Sequence, residues 1–155
     1  MQINIGDHQS TEPTFMPVPT QFRAQLYWAR TRLNTIARTI PGANVYFRRL
    51  DGGRSLTQVL ADRSIWVNYT ISLDSDLGGT APGNKEIGVG PAAFSVGRWT
   101  VLATLIHELA HCNGAPGRNS YAAEDAVLAC GLGKQSEWRT GVDDPYTPYK
   151  PGLHG

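Results

Sequence analysis

Charge is scarce in this chain and almost balanced. Charged residues make up 17% of its 155 residues, and the formal net charge is +1. Such a chain has no acidic or basic field strong enough to make a nucleic acid or a membrane surface its main partner. We therefore expect no nucleic-acid partner.

Long apolar runs are missing as well. No run comes near the roughly 18 residues of a transmembrane helix, and residues 1–10 lack both the basic start and the apolar stretch of a signal peptide. These absences predict a soluble chain without membrane insertion and without a Sec-type signal. The compartment stays open between the cytoplasm and a secreted or periplasmic location reached by another route.

Cysteine is rare too, with only Cys112 and Cys130 in the chain. A disulfide between them would link the two helices at whose ends they are expected to lie, and it would indicate an oxidising compartment. Two reduced, buried cysteines in a cytosolic protein explain the sequence almost as well. Both alternatives remain open at this point.

The residues that are abundant suffice for one compact domain, since 41% of the 155 residues are hydrophobic. We expect an N-terminal arm without regular structure over residues 1–19, a single domain over 20–140 and an irregular tail over 141–155. Within the domain, apolar periodicity and turn residues predict a helix that begins with Thr20 as N-cap and ends at Pro41-Gly42, a strand over 45–50, a helical turn over 56–61, and strands over 64–73 and 86–90.

The stretch 107–111, with the sequence HELAH, combines two imidazoles and a carboxylate on a segment with apolar flanks. Residues 99–106 lead into it with apolar side chains on several sides, as in a helix buried in a domain core. Residues four apart in a helix share a face, so His107 and His111 can both point at one ion. Neutral imidazole suits Zn²⁺, and a catalytic zinc takes three protein ligands and leaves the fourth position to water. Glu108 then lies beside that water.

This stretch resembles the HExxH signature of the zincin metallopeptidases, in which His107, Glu108 and His111 would be the signature residues. The resemblance implies that the two histidines bind Zn²⁺, which lowers the pKa of a water to about 7. It also implies that Glu108 accepts the proton of that water as it attacks a carbonyl carbon, and later passes the proton to the leaving amine. The implied activity is that of a zinc metalloendopeptidase acting on a protein or peptide.

The third ligand distinguishes two zincin branches. Metzincins continue with a glycine three residues and a histidine six residues beyond the second histidine. Here Gly114 fits that pattern, but position 117 is Gly117 rather than histidine, which disfavours the metzincin branch. The gluzincin branch instead takes a glutamate from a second helix, and residues 119–130 are typical of such a helix with a polar start.

Glu124 on this second helix is accordingly the expected third zinc ligand. Asp125 is a close competitor, because aspartate also binds zinc and neighbouring helical residues are only about 100° apart. The carboxylate that does not bind the metal could orient a histidine through its free ring N–H. Glu137 and His154 remain later fallback candidates.

The sequence therefore predicts an α+β fold, a small zincin-like domain in which an N-terminal helix and a short mixed sheet support the metal helix and a C-terminal ligand helix. The strand over 86–90 is the candidate edge strand above the metal, where a substrate backbone could pair; a simple connector is equally compatible. Tyr121, Tyr146 and Tyr149 are the tyrosines that could donate to an oxyanion, and no spacing rule chooses among them.

Two other classes of function would use the same residues. One is a zinc amidase acting on a cell-wall or other non-protein amide, and the other is a binding module that holds zinc without turnover. Compact metallopeptidase domains of this size also resemble the toxin and effector domains that bacteria deliver through specialised secretion systems. In that setting an inhibitor or immunity protein could be a further partner.

Overall fold

The structure, a computed structural model, describes residues 1–71, 77–80, 84–117 and 121–132. Over these ranges the chain forms six helices and one mixed sheet of five strands, which confirms the predicted α+β class. Among these helices, none combines the length and the apolar character that a membrane span requires. In chain order the elements are β1 (Gln2–Ile3), β2 (Phe15–Met16), α1 (Thr20–Thr39), α2 (Pro41–Phe47), α3 (Leu56–Ala61), β3 (Trp66–Thr70), β4 (Gly78–Gly79), β5 (Glu86–Val89), α4 (Pro91–Val96), α5 (Arg98–Cys112) and α6 (Ala122–Ala129).

The sheet is built around β3 and β5, which pair in parallel with Trp66 opposite Glu86 and Tyr69 opposite Val89. β4 runs antiparallel along the other side of β5, so the order across the sheet is β1-β3-β5-β4. The remaining side of β3 pairs with β1 in parallel and with β2 antiparallel. The strands predicted over 64–73 and 86–90 are thus confirmed over shorter ranges.

The prediction that residues 86–90 form the edge strand is wrong. β5 has neighbours on both sides, and all four of its residues are buried. Among the described strands, the edge beyond it belongs to Gly78 and Gly79 of β4. The glycine of β5 is explained by packing rather than by an approaching substrate, because a Cβ on Gly88 would lie 2.5 Å from Cε1 of Phe15.

The N-terminal segment is not the irregular arm that its composition predicts. It supplies β1 and β2, and Ile3 and Val18 are buried in the core. Side chains also fix it to the sheet at the buried carboxylate of Glu86. Ser10 Oγ donates to Glu86 Oε2 at 3.1 Å, and His8 Nε2 lies 2.7 Å from Glu86 Oε1. Its polar residues are therefore partly internal, which composition alone does not reveal.

The predicted strand over residues 45–50 is wrong as well. These residues belong to α2 and the turn after it, because Pro41 occupies the first position of a new helix that directly follows α1. Ala43 and Phe47 are four residues apart and both fully buried, so the apolar spacing is that of a helix. The helix predicted from Thr20 and the helical turn predicted over 56–61 are confirmed as α1 and α3. Pro19 rather than Thr20 is the N-cap of α1.

Helix α5 is the centre of the domain, and every residue from Thr100 to Cys112 is buried. It packs against α1, α4 and α6 and against strands β4 and β5. The helix ends where the sequence predicts, with Asn113 as C-cap and Gly114 at a φ of +86°, a conformation that favours glycine. The amide of Ala115 then donates back to the carbonyl of Ala110 at 2.9 Å, which closes the last turn.

The predicted second helix is present as α6, which begins at Ala122 and packs against α5 and α2. Several sequence predictions fall outside the described residues and therefore stay predictions. They are the fallback ligands Glu137 and His154, the tyrosines Tyr146 and Tyr149, and the irregular tail over 141–155.

Candidate metal centre

Helix α5 presents two neighbouring stripes of polar side chains, because residues four apart lie on one face. Thr104, Glu108 and Cys112 form the stripe beneath β4 and the residues that follow it. His107 and His111 form the second stripe, on the side where Glu124 of α6 approaches. The candidate general base and the candidate ligands thus lie on adjacent faces of one helix.

The imidazoles of His107 and His111 converge. Their Nε2 atoms are 3.1 Å apart, and the two rings, 4.8 Å between centroids, are inclined by 67°. Both residues are buried, with 7% of each exposed. The pair is therefore arranged so that the same type of ring nitrogen from each histidine faces a common point, as the helical spacing predicts.

The hydrogen bond at the far side of His111 determines which nitrogen faces that point with a lone pair. Its Nδ1 lies 2.9 Å from the backbone carbonyl of Ala115. Because a carbonyl only accepts, Nδ1 carries a proton, and in the neutral ring Nε2 then carries the lone pair. A lone pair directed at a second imidazole nitrogen 3.1 Å away requires a proton or a cation between them. Neutral imidazole nitrogens in this arrangement fit Zn²⁺.

The structure separates Glu124 from its competitor Asp125. Glu124 is buried, with 8% exposed, and its Oε1 lies 3.6 Å from Nδ1 of His107. Asp125 is exposed on the outer side of α6. Of the two predicted carboxylates, only Glu124 is thus brought beside the histidine pair. Its contact is with the Nδ1 side of His107, whereas Nε2 of that ring faces His111.

Within the described ranges, no group of three or more His, Cys, Asp or Glu side chains forms a preformed metal-binding cluster. Two predicted ligands converge, and the third predicted ligand lies beside one of them. From this position, on the Nδ1 side of His107, Glu124 is placed to orient that ring, whereas binding a metal at the Nε2 atoms would require its side chain to turn towards them.

Glu108, the predicted general base, is fully buried at 0% exposed beneath β4. The strand approaches so closely that a Cβ on Gly78 would lie 3.4 Å from Glu108 Oε1 and 2.5 Å from Cγ2 of Thr104. Only a glycine leaves room for β4 at this distance from α5. The carboxylate therefore lies in a confined space between the helix and the edge of the sheet.

Replacing Gly78 by alanine is expected to lower the free energy of unfolding by about 1–3 kcal/mol, the usual cost of overpacking a core. The added methyl would also meet Gly88 O at 2.9 Å, so β4 would have to shift. Denaturant unfolding measures the change. The matched control is Gly42→Ala, whose Cβ would lie 3.5 Å from Ala129 O, an ordinary contact in α2. Equal stability of the two variants would show that β4 does not constrain α5.

The two cysteines are both free and buried, so the structure favours the reduced alternative over the disulfide. Cys112 follows Glu108 by one turn and forms a side-chain hydrogen bond with Thr80, just after β4. Burial, with a further contribution from the charge of Glu108, raises the pKa of this thiol to about 12. Burial alone raises the pKa of Cys130 to about 12.

Neither thiol is therefore expected to react with an aromatic disulfide reagent at neutral pH, because both are shielded and thiolate is scarce. Titration should find close to no reactive thiols in the folded protein and two after unfolding. The raised pKa of Cys130 also makes the free energy of unfolding depend on pH. From the ordinary value of 9.0 upward, the unfolded chain releases the thiol proton while the folded chain still keeps it. Its contribution to the free energy of unfolding thus falls as pH rises from about 9. A fast-reacting thiol in the native protein would contradict this account.

Three residues of the site's surroundings escape prediction from the sequence: Gly78, Arg54 and Asn113. For Gly78 the sequence does contain a signal that could have been used, because adjacent glycines such as Gly78-Gly79 beside a strand can mark a place where another part of the chain approaches closely. Arg54 donates to the carbonyl of Cys112, 58 residues away in sequence. No local pattern predicts a contact over that separation.

Comparison of the chain with protein-family models, with curated protein sequences and with solved structures gives no match. The case for a function therefore rests on the residues themselves.

Proposed function

We propose that this chain is a zinc-dependent peptidase in which His107 and His111 bind the metal, Glu124 completes or orients the site and Glu108 is the general base. The observation that carries the proposal is the convergence of the two Nε2 atoms at 3.1 Å on a helix that also holds Glu108. The hydrogen bond from His111 Nδ1 to Ala115 supports it, because in the neutral imidazole it places the lone pair on the ligating Nε2.

Bound zinc would act as a Lewis acid on a carbonyl and lower the pKa of a water to about 7. Glu108 would accept the proton from the attacking water and deliver it to the departing amine. Its position between the histidine stripe and β4 places the carboxylate next to the sheet edge that a substrate would approach. The chain's own contribution is thus two fixed imidazoles, one confined carboxylate and a nearby acid from α6.

The substrate class that fits best is a protein or peptide in an extended conformation. Within the part of the chain that the structure describes, β4 pairs with β5 alone, so the other side of β4 is where a further strand would be added. Pairing of an extended backbone along such an edge gives affinity through main-chain hydrogen bonds. An edge at Gly78 would hold that backbone close to Glu108.

Zinc content tests the proposal first, beside the variant in which both His107 and His111 are alanine. About one zinc per wild-type chain, lost in the double variant, together with cleavage of unstructured protein such as casein, would support the peptidase. A wild type that takes up no added zinc would contradict it. Cleavage of peptidoglycan without proteolysis would favour the amidase, and bound zinc without any hydrolysis would favour a binding module.

A further inference from the structure

The C-terminal end of α5 is held by the guanidinium of Arg54. Its Nη2 donates to the carbonyl of Cys112 at 2.8 Å, and its Nε donates to Oδ1 of Asn113 at 3.1 Å. Its Nη1 donates to Oδ2 of Asp62 at 2.8 Å. Three acceptors in three directions fix the plane of a guanidinium in a way that an ammonium could not reproduce. The positive charge also lies at the end of the helix where carbonyls point outward.

Asn113 joins this end of the helix to the segment that precedes α3. The side chain is fully buried, and its Nδ2 donates to the carbonyls of Phe47 at 2.8 Å and of Arg54 at 2.9 Å. The backbone carbonyl of Asn113 accepts from the backbone amide of Gly52 at 2.9 Å. A buried amide with all of these bonds made has one orientation, because any rotation would leave polar atoms unsatisfied.

The next residue turns the chain back towards His111. Gly114 has a φ of +86°, and a Cβ on it would lie 2.9 Å from the amide nitrogen of Gly52. The turn is thus packed directly against the segment that holds Asn113. It brings Ala115 back over the last turn of α5, where its carbonyl accepts from His111 Nδ1 at 2.9 Å.

We propose that Arg54 and Asn113 are positioning residues for His111. They hold the turn that places the Ala115 carbonyl, and this carbonyl keeps the proton of His111 on Nδ1 and the lone pair on Nε2. The role of that lone pair as a zinc ligand rests on the proposed function. The placement of the proton is a property of the metal-free protein and can be measured without zinc.

The charged partners of Arg54 keep this arrangement in place. A hydrogen bond from Ser64, together with Lys85, holds the pKa of Asp62 well below its usual range, although partial burial opposes them. Lys85 Nζ lies 3.2 Å from the same carboxylate oxygen that accepts from Arg54. Asp62 therefore stays ionised over the working pH range, and Arg54 keeps its third acceptor.

The test is to find the ring proton of His111 in zinc-free, ¹⁵N-labelled protein by long-range proton–nitrogen NMR, at about pH 8 where ordinary imidazoles are neutral. The variant is Arg54→Met, and the matched control is Arg49→Met, an exposed arginine of the same segment. Wild type and Arg49→Met should carry the proton on Nδ1. Arg54→Met should show a mixture of both ring forms and bind zinc about 10- to 100-fold more weakly, the usual cost of losing an outer partner.

An unchanged ring form in folded Arg54→Met would overturn the proposal, even if zinc affinity fell, because the residue would then act through stability alone. Should Arg54→Met fail to fold, Asp62→Asn removes only the ionised acceptor of Arg54. This variant should raise the share of the other ring form of His111 as well, by a smaller amount. No movement in Asp62→Asn would equally overturn it. A wild type with the proton on Nδ1 that binds no zinc would instead contradict the proposed function and leave the positioning role intact.

Discussion

Replacing Glu108 by glutamine is expected to slow hydrolysis by about 10²- to 10⁴-fold, the usual contribution of a general base, while zinc content stays unchanged. Glutamine keeps the shape of the side chain in the space between α5 and β4 but cannot accept a proton. Initial rates on a peptide cleaved by the wild type, and zinc by plasma mass spectrometry on the same samples, give both quantities. Glu108 is the choice because it lies on the same helix as the two converging imidazoles, on the adjacent face beneath β4.

The control for this variant is Glu12→Gln, which removes a half-buried carboxylate of the N-terminal segment. It should leave both rate and zinc unchanged. The free energy of unfolding of Glu108→Gln without zinc should be equal to or above that of the wild type, because burying a neutral amide costs less than burying a charge. Full activity in Glu108→Gln would show that another group moves the proton. Loss of zinc would show that Glu108 binds the metal.

Replacing Glu124 by alanine is expected to weaken zinc binding, and the size of the loss identifies its role. A partner that only orients His107 through Nδ1 costs about 10- to 100-fold in affinity when removed. A ligand in direct contact with the metal costs more than that, because the ion keeps only two protein donors of the three that a catalytic zinc site takes. Competition with a chromophoric chelator measures the affinity over this range.

Asp125→Ala is the matched control, since the residue adjoins Glu124 on α6 but is exposed. It should change zinc affinity by less than about twofold, in line with the small effects of surface charges. If both variants bind zinc as tightly as the wild type, the third ligand lies outside the described residues, and Glu137 and His154 become the next substitutions. If Asp125→Ala has the larger effect, α6 is rotated relative to the structure.

The parts of this fold that the sequence predicts are those specified by neighbouring residues. The placement of His107 and His111 on one face depends only on the helical repeat, and the end of α5 depends on Gly114. Both features can therefore be predicted from the spacing of nearby residues. The strand around Trp66 is likewise marked by its own β-branched and aromatic residues. For such features the energy that determines the conformation lies within a few residues.

The features that escape prediction depend on partners far along the chain. Residues 45–50 have an apolar content compatible with either a strand or a helix, and what decides is Pro41 directly after α1. Residues 86–90 form a strand as predicted, but their place inside the sheet depends on Gly78 and Gly79, which no periodicity marks. The hydrogen bond from Arg54 to the carbonyl of Cys112, at the end of α5, joins residues that are 58 apart in sequence. Tertiary packing determines each of these outcomes.

The pairing of β1 with β3 also limits the order in which the protein can fold. Asn4, just after β1, bonds to Asn68 of β3, a separation of 64 residues. During synthesis the N-terminal segment therefore leaves the ribosome long before its partner strand exists, whereas α1 and α2 can form from local contacts. Helix α5 is made after the five described strands, and the apolar faces of α1 and of the sheet close on it. Until residue 112 has emerged, the nascent chain exposes these faces, and this is the interval in which it is most prone to aggregate.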